Sequence, residues 1–345
     1  MFLLVVAITG FFSFFVTPRF AGTFVYWAGE QFNHHAWNGL RFWDLIQPYF
    51  MFIVGVAMPL SYAKRRSRGE SHASVRKHIL LRCLILLLLG WWLYCIPSGR
   101  ITFFFQNVLA QLSVTILIAF FVMQRPVSIQ IIVSLALLLG MEMVYRTFPV
   151  GGFDQPFVAD HNFGAWLDLK ISGQLSPGHW VSVNAIPTAV HTIWGVLAGR
   201  LLMSAGSQHK KLLWLTAAGV AALAAGYALT PVTPIIKRIA TSTFVLVSGG
   251  WTLLSLALCY WVVDMLKFRR GVRFFAIVGM NPLFIYLFAE AGGAELLKSI
   301  AAPLAVSAFH GFGADYATLA VNTLASAALW GICYWMFKNR IFIKI

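Results

Sequence analysis

Residues 33–62, NHHAWNGLRFWDLIQPYFMFIVGVAMPLSY, pass from a wet, histidine-bearing loop straight into an apolar segment long enough to cross a bilayer. Asp44 and Gln47 are carried in with it. Three residues apart and in register with Met51, they share one helical face and point into a bundle. A carboxylate at that depth is costly unless paired, which makes Asp44 a functional candidate, with a structural ion pair as the alternative and Arg82 as one candidate partner.

The rest of the chain repeats this apolar pattern. Of 345 residues, 59% are hydrophobic and 11% charged, whereas soluble domains carry roughly a quarter charged residues. Apolar runs at 1–16, 42–62, 78–96, 107–123, 127–145, 181–204, 212–229, 242–266, 274–292 and 317–337 predict an all-α, polytopic transmembrane helix bundle of about ten spans, forming a single domain over 1–345. The run from Met1 has no basic lead-in and no small-residue cleavage site, so it reads as a membrane helix rather than a signal peptide, in a chain that starts late.

The net charge of +15 is read as topology rather than nucleic-acid binding. Basic residues gather in loops that stay cytoplasmic, and the strongest run is AKRRSRGESHASVRK at 63–77. Alternating the loops from there places most Lys and Arg residues on one side, with both termini inside. The histidine loop then lies outside, as does the long connection 146–180, a predicted irregular cap that would roof a site. The four cysteines form no metal spacing and read as packing residues, and no metal is expected.

Several residues are suited to chemistry. A neutral imidazole at His34 or His35 can take a proton near neutral pH, although histidines also sit at membrane surfaces for ordinary reasons. Asn184, Thr188 and His191 form one polar helical stripe, Asn107, Gln111 and Thr115 a second, and Thr318, Asn322 and Ser326 a third. Such stripes contact ligands or bond helix to helix. Asn281 and Glu290 bracket GMNPLFIYLFAE, where Pro282 interrupts the helix ladder and would leave a carbonyl for a ligand. Walker, GxGxxG-after-strand, GxSxG and HExxH motifs are absent from the sequence.

At HHAWNGLRFWDLIQPYFMFIVG the chain resembles the membrane core of the heparan-α-glucosaminide N-acetyltransferase family and its bacterial relatives. His34, Trp37, Asn38, Gly39, Asp44, Leu45 and Pro48 carry the match. It continues through NVLAQLSVT, NAIPTAVHTIWGVLAG, the segment from Thr241, VGMNPLFIYLFAE and the closing RIFIKI. Departures are the missing Ser-Leu-Asp-x-x-Arg-Gly opening, Thr9 and Gly10 in place of an Asn, Leu112 where the family has Arg after Gln111, and a missing Asp-Pro-Glu-Gly.

The resemblance implies acetyl transfer from cytoplasmic acetyl-CoA, a co-substrate, to an amino sugar or envelope glycan across a bacterial inner membrane. It implies His34 as catalytic base or acyl carrier, with Asp44 to orient it. Substrate contacts are expected from Trp37, Asn38, Gln111, Asn184, His191, Asn281 and Glu290, with Asn38 and Asn281 placed for the oxyanion or acceptor. Expected partners are membrane lipid, acyl-CoA and the sugar, with a homodimer as an open assembly and no nucleic acid. A sugar transporter, favoured by Pro48, Pro187 and Pro282, and a non-catalytic envelope scaffold are the alternatives.

Overall fold

The computed structural model describes residues 2–102, 104–343 and 345. Met1, which opens the first expected span, and Lys344, in the closing motif, lie outside the described residues. The helices in chain order are α1 (Phe2–Ile8), α2 (Phe24–Glu30), α3 (Ile46–Ser67), α4 (His72–Ser98), α5 (Val108–Val122), α6 (Val127–Thr147), α7 (Phe163–Ser172), α8 (Ala185–Met203), α9 (Gln208–Ala228), α10 (Ser242–Cys259), α11 (Val272–Gly279), α12 (Pro282–Phe288), α13 (Ala294–Phe309) and α14 (Ala314–Lys338). Among the described residues there is no strand; an isolated antiparallel bridge joins Asn38 and Ile236.

Among the described residues, seven helices are long and apolar enough to cross a membrane, or eight if one bent pair counts as a span. The difference from ten has local causes. Residues 1–16 break at Gly10, whose φ of 82° stops α1 before a 3-10 turn over Phe11–Val16. Helix α5 has 15 residues. The expected 274–292 span is split, because Pro282 occupies the first turn of α12, where its missing N–H costs nothing, and the chain bends by 65°. Helix α13 fills what the apolar pattern predicts as connection. The connection 146–180 contains α7, capped by Asn162 and closed by Gly173 at φ 73°.

The chain forms two compact units. The smaller comprises Met1–His34, Arg41–Trp43 and Phe268–Ile345, the larger His35–Leu40 and Asp44–Lys267. In the larger, α3 lies against α8 at backbone distance. A Cβ on Gly55 would fall 2.1 Å from the Thr192 carbonyl oxygen, and one on Gly195 2.1 Å from that of Phe52. Gly195 and Gly199 are four apart, the small-residue spacing that lets membrane helices touch. Phe52, Val56, Ala198, Leu215, Leu253 and Ala257 close the core beside this contact.

In the smaller unit, Val5, Ile277, Val278, Ile285, Leu329 and Cys333 form the core. The predicted stripe on α14 is a helix tie: Asn322 Nδ2 donates to the Gly10 carbonyl at 3.0 Å, and Ser326 Oγ lies 2.6 Å from Thr9 Oγ1. Cys83 and Cys333 are buried as expected of packing residues, whereas Cys259 is exposed. Exposed Leu81, Leu139 and Leu213 fit lipid contact rather than water.

Candidate active site in the histidine loop

In the larger unit the segment His35–Leu40 lies along residues 235–237. The Gly39 N–H donates to the Ile235 carbonyl at 2.8 Å, beside the Asn38–Ile236 bridge. Asp44 closes the arrangement: its Oδ2 accepts from the His35 N–H at 3.1 Å, and its Oδ1 lies 3.5 Å from Lys237 Nζ. Both side chains are buried, Asp44 at 1% and Lys237 at 7% exposure. The expected ion pair exists, but its cation is Lys237 rather than Arg82. Arg82 belongs to α4, where its buried Nε has no hydrogen-bond partner among the described residues.

Gly39 has a mechanical reason to be glycine. Its φ is 149°, and a Cβ there would sit 2.5 Å from His35 Nε2, so the imidazole rests on bare backbone. His35 Nδ1 is buried without a hydrogen-bond partner among the described residues. The family motif singles out His34; the larger unit builds a seat for its neighbour.

The connection 146–180 packs onto this loop. Trp37 donates its indole N–H to the Phe157 carbonyl at 2.7 Å and meets His179 edge to face. Trp180 carries Lys237 Nζ 5.3 Å and the Arg238 guanidinium carbon 5.7 Å from its ring centre. Asp160 and His179, bonded at 2.6 Å, both take left-handed backbone, with φ of 62° and 58°. Such strain persists only where surrounding structure imposes it.

Behind the loop runs a buried amide tract. Gln47 donates to Gln111, and Gln111 donates to Asn184 and to the Gln106 carbonyl. Asn184 Nδ2 donates at 3.1 Å to the Arg238 carbonyl. Gln106 and the Ser182 N–H both donate to Asp168 Oδ2, at 2.8 and 2.9 Å, while Oδ1 is buried with no partner among the described residues. Sequence periodicity puts Gln47, Gln111 and Asn184 on the polar faces of three separate apolar segments, and the fold joins them. His191 is elsewhere: fully buried, it meets Ser248 Oγ on α10 at 2.8 Å and the Thr188 carbonyl at 3.2 Å, which makes it a helix tie rather than a ligand contact.

In the smaller unit His34 is exposed. Its carbonyl accepts from Arg41 Nη1 at 3.2 Å, and its ring lies 6.4 Å from that of Trp43. Arg41 pairs with Glu30 at 3.2 Å, and the Trp43 N–H donates to the Gln31 carbonyl. Asn281 does not present its amide to a ligand in the expected way: Nδ2 donates to the Ile341 carbonyl at 3.0 Å and Oδ1 accepts from the Ile343 N–H at 2.9 Å. Its backbone carbonyl accepts from the Ile285 N–H. Glu290 is exposed in a π-turn over Ala289–Gly293.

Electrostatics in the loop region follow from burial. Burial lowers the Lys237 ammonium to about 8 against the pull of Asp44, with Arg238 lowering it further. Burial also lowers Arg238, opposed by Asp44 and Asp160. The Asp168 carboxyl is raised by burial, opposed by its bonds to Gln106 and Ser182. Within the larger unit, the His35 imidazole on a fixed backbone and two cations near a Trp face are groups of the kind that acid–base chemistry with charge stabilisation uses. Lys237, Arg238 and Trp180 escaped the sequence reading. Their signal is a basic pair in PVTPIIKRIATS, on the side that the charge rule leaves poor in basic residues.

Residues 7–227 match the family described as "Heparan-alpha-glucosaminide N-acetyltransferase, catalytic". The mouse heparan-alpha-glucosaminide N-acetyltransferase is 25% identical over 387 aligned positions, covering 93% of this chain and 57% of the mouse protein. The chain thus spans little more than half the length of that relative. With the histidine loop and its amide tract inside the matched region, this chain belongs to the heparan-α-glucosaminide N-acetyltransferase catalytic family.

Proposed function

We propose that this chain is a membrane N-acetyltransferase that moves an acetyl group from acetyl-CoA to the amine of an amino sugar or envelope glycan. One observation carries the reading: the buried Asp44–Lys237 pair fixes the backbone of a histidine loop inside the family-matched region. His34 takes the amine proton as the nitrogen attacks the thioester carbonyl. The C–N bond forms, the C–S bond breaks, and the departing sulfur recovers the proton from the imidazolium. Acetylation of His34 itself is the two-step form of the same transfer. Asp44 acts through the His35 N–H, and exposed Asn38 offers an amide to the acceptor or the oxyanion.

Exposed Lys64, Arg68, Arg76 and Lys77 would meet the CoA phosphates. Their charge supports a cytoplasmic placement for 63–77 and both termini, with the histidine loop on the far side of a bacterial inner membrane. Adding the 15-residue α5 and residues 1–16 to the eight candidate crossings gives the ten-span arrangement, with 1–345 acting as one acyltransferase domain, alone or as a homodimer. The test is label transfer from acetyl-CoA to glucosamine-type acceptors by purified protein. Wild type should label the sugar, and His34→Ala should lose at least about a hundredfold in rate. Sugar uptake without acyl-CoA, and no label transfer, would replace the enzyme with a transporter.

A further inference from the structure

An open cleft of about 610 Å³ lies in the larger unit, away from the histidine loop. That volume is ligand-sized, within the roughly 300–1,000 Å³ typical of binding clefts. Helix α8 lines it with Trp194, Leu197 and Leu201, a stripe at helical spacing, α9 with Trp214 and Ala218, and α6 with Ile131. Its walls are aliphatic and aromatic throughout.

One end of the cleft is basic. Arg200 neighbours Leu201, and Lys210 precedes Trp214 by four residues on the same face of α9. Arg125 stands two residues before Val127, another lining residue. Arg200 Nη1 donates to the Met123 and Arg125 carbonyls at 3.3 and 2.9 Å, and Lys211 Nζ to the Leu202 carbonyl at 2.8 Å. These bonds hold the turn before α6 and the start of α9 against the end of α8. The side chains of Arg125 and Lys210 are exposed and make no hydrogen bond or ion pair among the described residues. The sequence holds no acidic residue between 169 and 263 to neutralise them.

We infer that this cleft is a binding site for an anionic phospholipid, with one acyl chain between α6, α8 and α9 and the phosphate at Arg125, Lys210 and Arg200. Apolar walls suit a hydrocarbon chain, whereas the amides of a pantetheine arm would lie there unpaired. Clustered cations beside a membrane helix favour an anionic headgroup. The site stands apart from acetyl transfer and does not depend on that reading.

The test is native mass spectrometry of the full chain released from nanodiscs of equimolar phosphatidylglycerol and phosphatidylcholine. Wild type should retain one phosphatidylglycerol, favoured roughly tenfold over phosphatidylcholine. Ala218→Trp, which adds bulk at an exposed position in the cleft, should lose it. Arg125→Gln with Lys210→Gln alters exposed residues, and should retain a lipid but abolish the headgroup preference. Equal retention of the two lipids by wild type, unchanged retention in Ala218→Trp, or displacement of the lipid by acetyl-CoA would each overturn the assignment.

Discussion

Asp44 and Lys237 neutralise each other where neither reaches water freely. Removing one partner leaves a buried charge, so Asp44→Asn should cost about 3–5 kcal/mol. The double variant Asp44→Asn with Lys237→Met should recover most of that stability but not acetyl transfer, because the His35 N–H has lost its carboxylate. Thermal unfolding in detergent beside the label-transfer assay separates the two effects. If the double variant is as unstable as the single one, charge burial is not the cause.

Lys237 also ties stability and activity to pH with opposite signs. Its ammonium titrates near 8 in the folded chain and at the ordinary 10.5 when unfolded. Between those values the unfolded chain binds more protons, so this group's contribution is unfavourable below pH 8 and is relieved as pH rises from 8 to 10.5. The ion pair with Asp44 is lost over the same rise, so activity should fall above pH 8 while this contribution to stability improves. Lys237→Arg keeps its charge and should move the alkaline limb of the rate profile upward. An unmoved limb would show that another group sets it.

At the scale of elements, the α3–α8 contact is the most constrained. Gly195→Leu would drive a side chain into the Phe52 carbonyl, with an expected loss of more than about 2 kcal/mol and poor recovery of folded protein. Size-exclusion profiles would reveal it, with Ala218→Leu on the open face of α9 as the tolerated control. Gly195 and Gly199 are visible in the sequence without the helix they meet, and periodicity shows the polar faces of Gln47, Gln111 and Asn184 without pairing them. Lys237 was not legible in that way. It meets Asp44 across nearly two hundred residues of chain, a pairing that no local pattern encodes. The break at Pro282 was legible as a proline, but whether it kinks one helix or begins another depends on the backbone before it, and Asn281 is non-helical there (φ −126°, ψ 51°) with its side chain held by Ile341 and Ile343.

At the scale of the whole molecule, charge rather than packing predicts sidedness. In a cysteine-free background, Gln174→Cys should react with an impermeant maleimide in intact cells, and Arg68→Cys only after permeabilisation. Both positions are exposed. The reverse pattern would invert the topology and move the histidine loop to the cytoplasmic face. Helix count was the part least legible in sequence. Hydropathy registers apolar length but not helix continuity, and residues 2–16 and 274–292 are apolar yet broken, while α5 has 15 residues.

The Asn281 clamp has a practical consequence for handling the protein. Its amide grips the backbone of Ile341 and Ile343, so the stretch Ile341–Ile343 serves as a strap. A purification tag fused directly to Ile345 begins two residues from that strap. Trimming the tail from Arg340 would strip a fully buried amide of both partners, whereas a flexible spacer after Ile345 should leave yield and melting temperature unchanged.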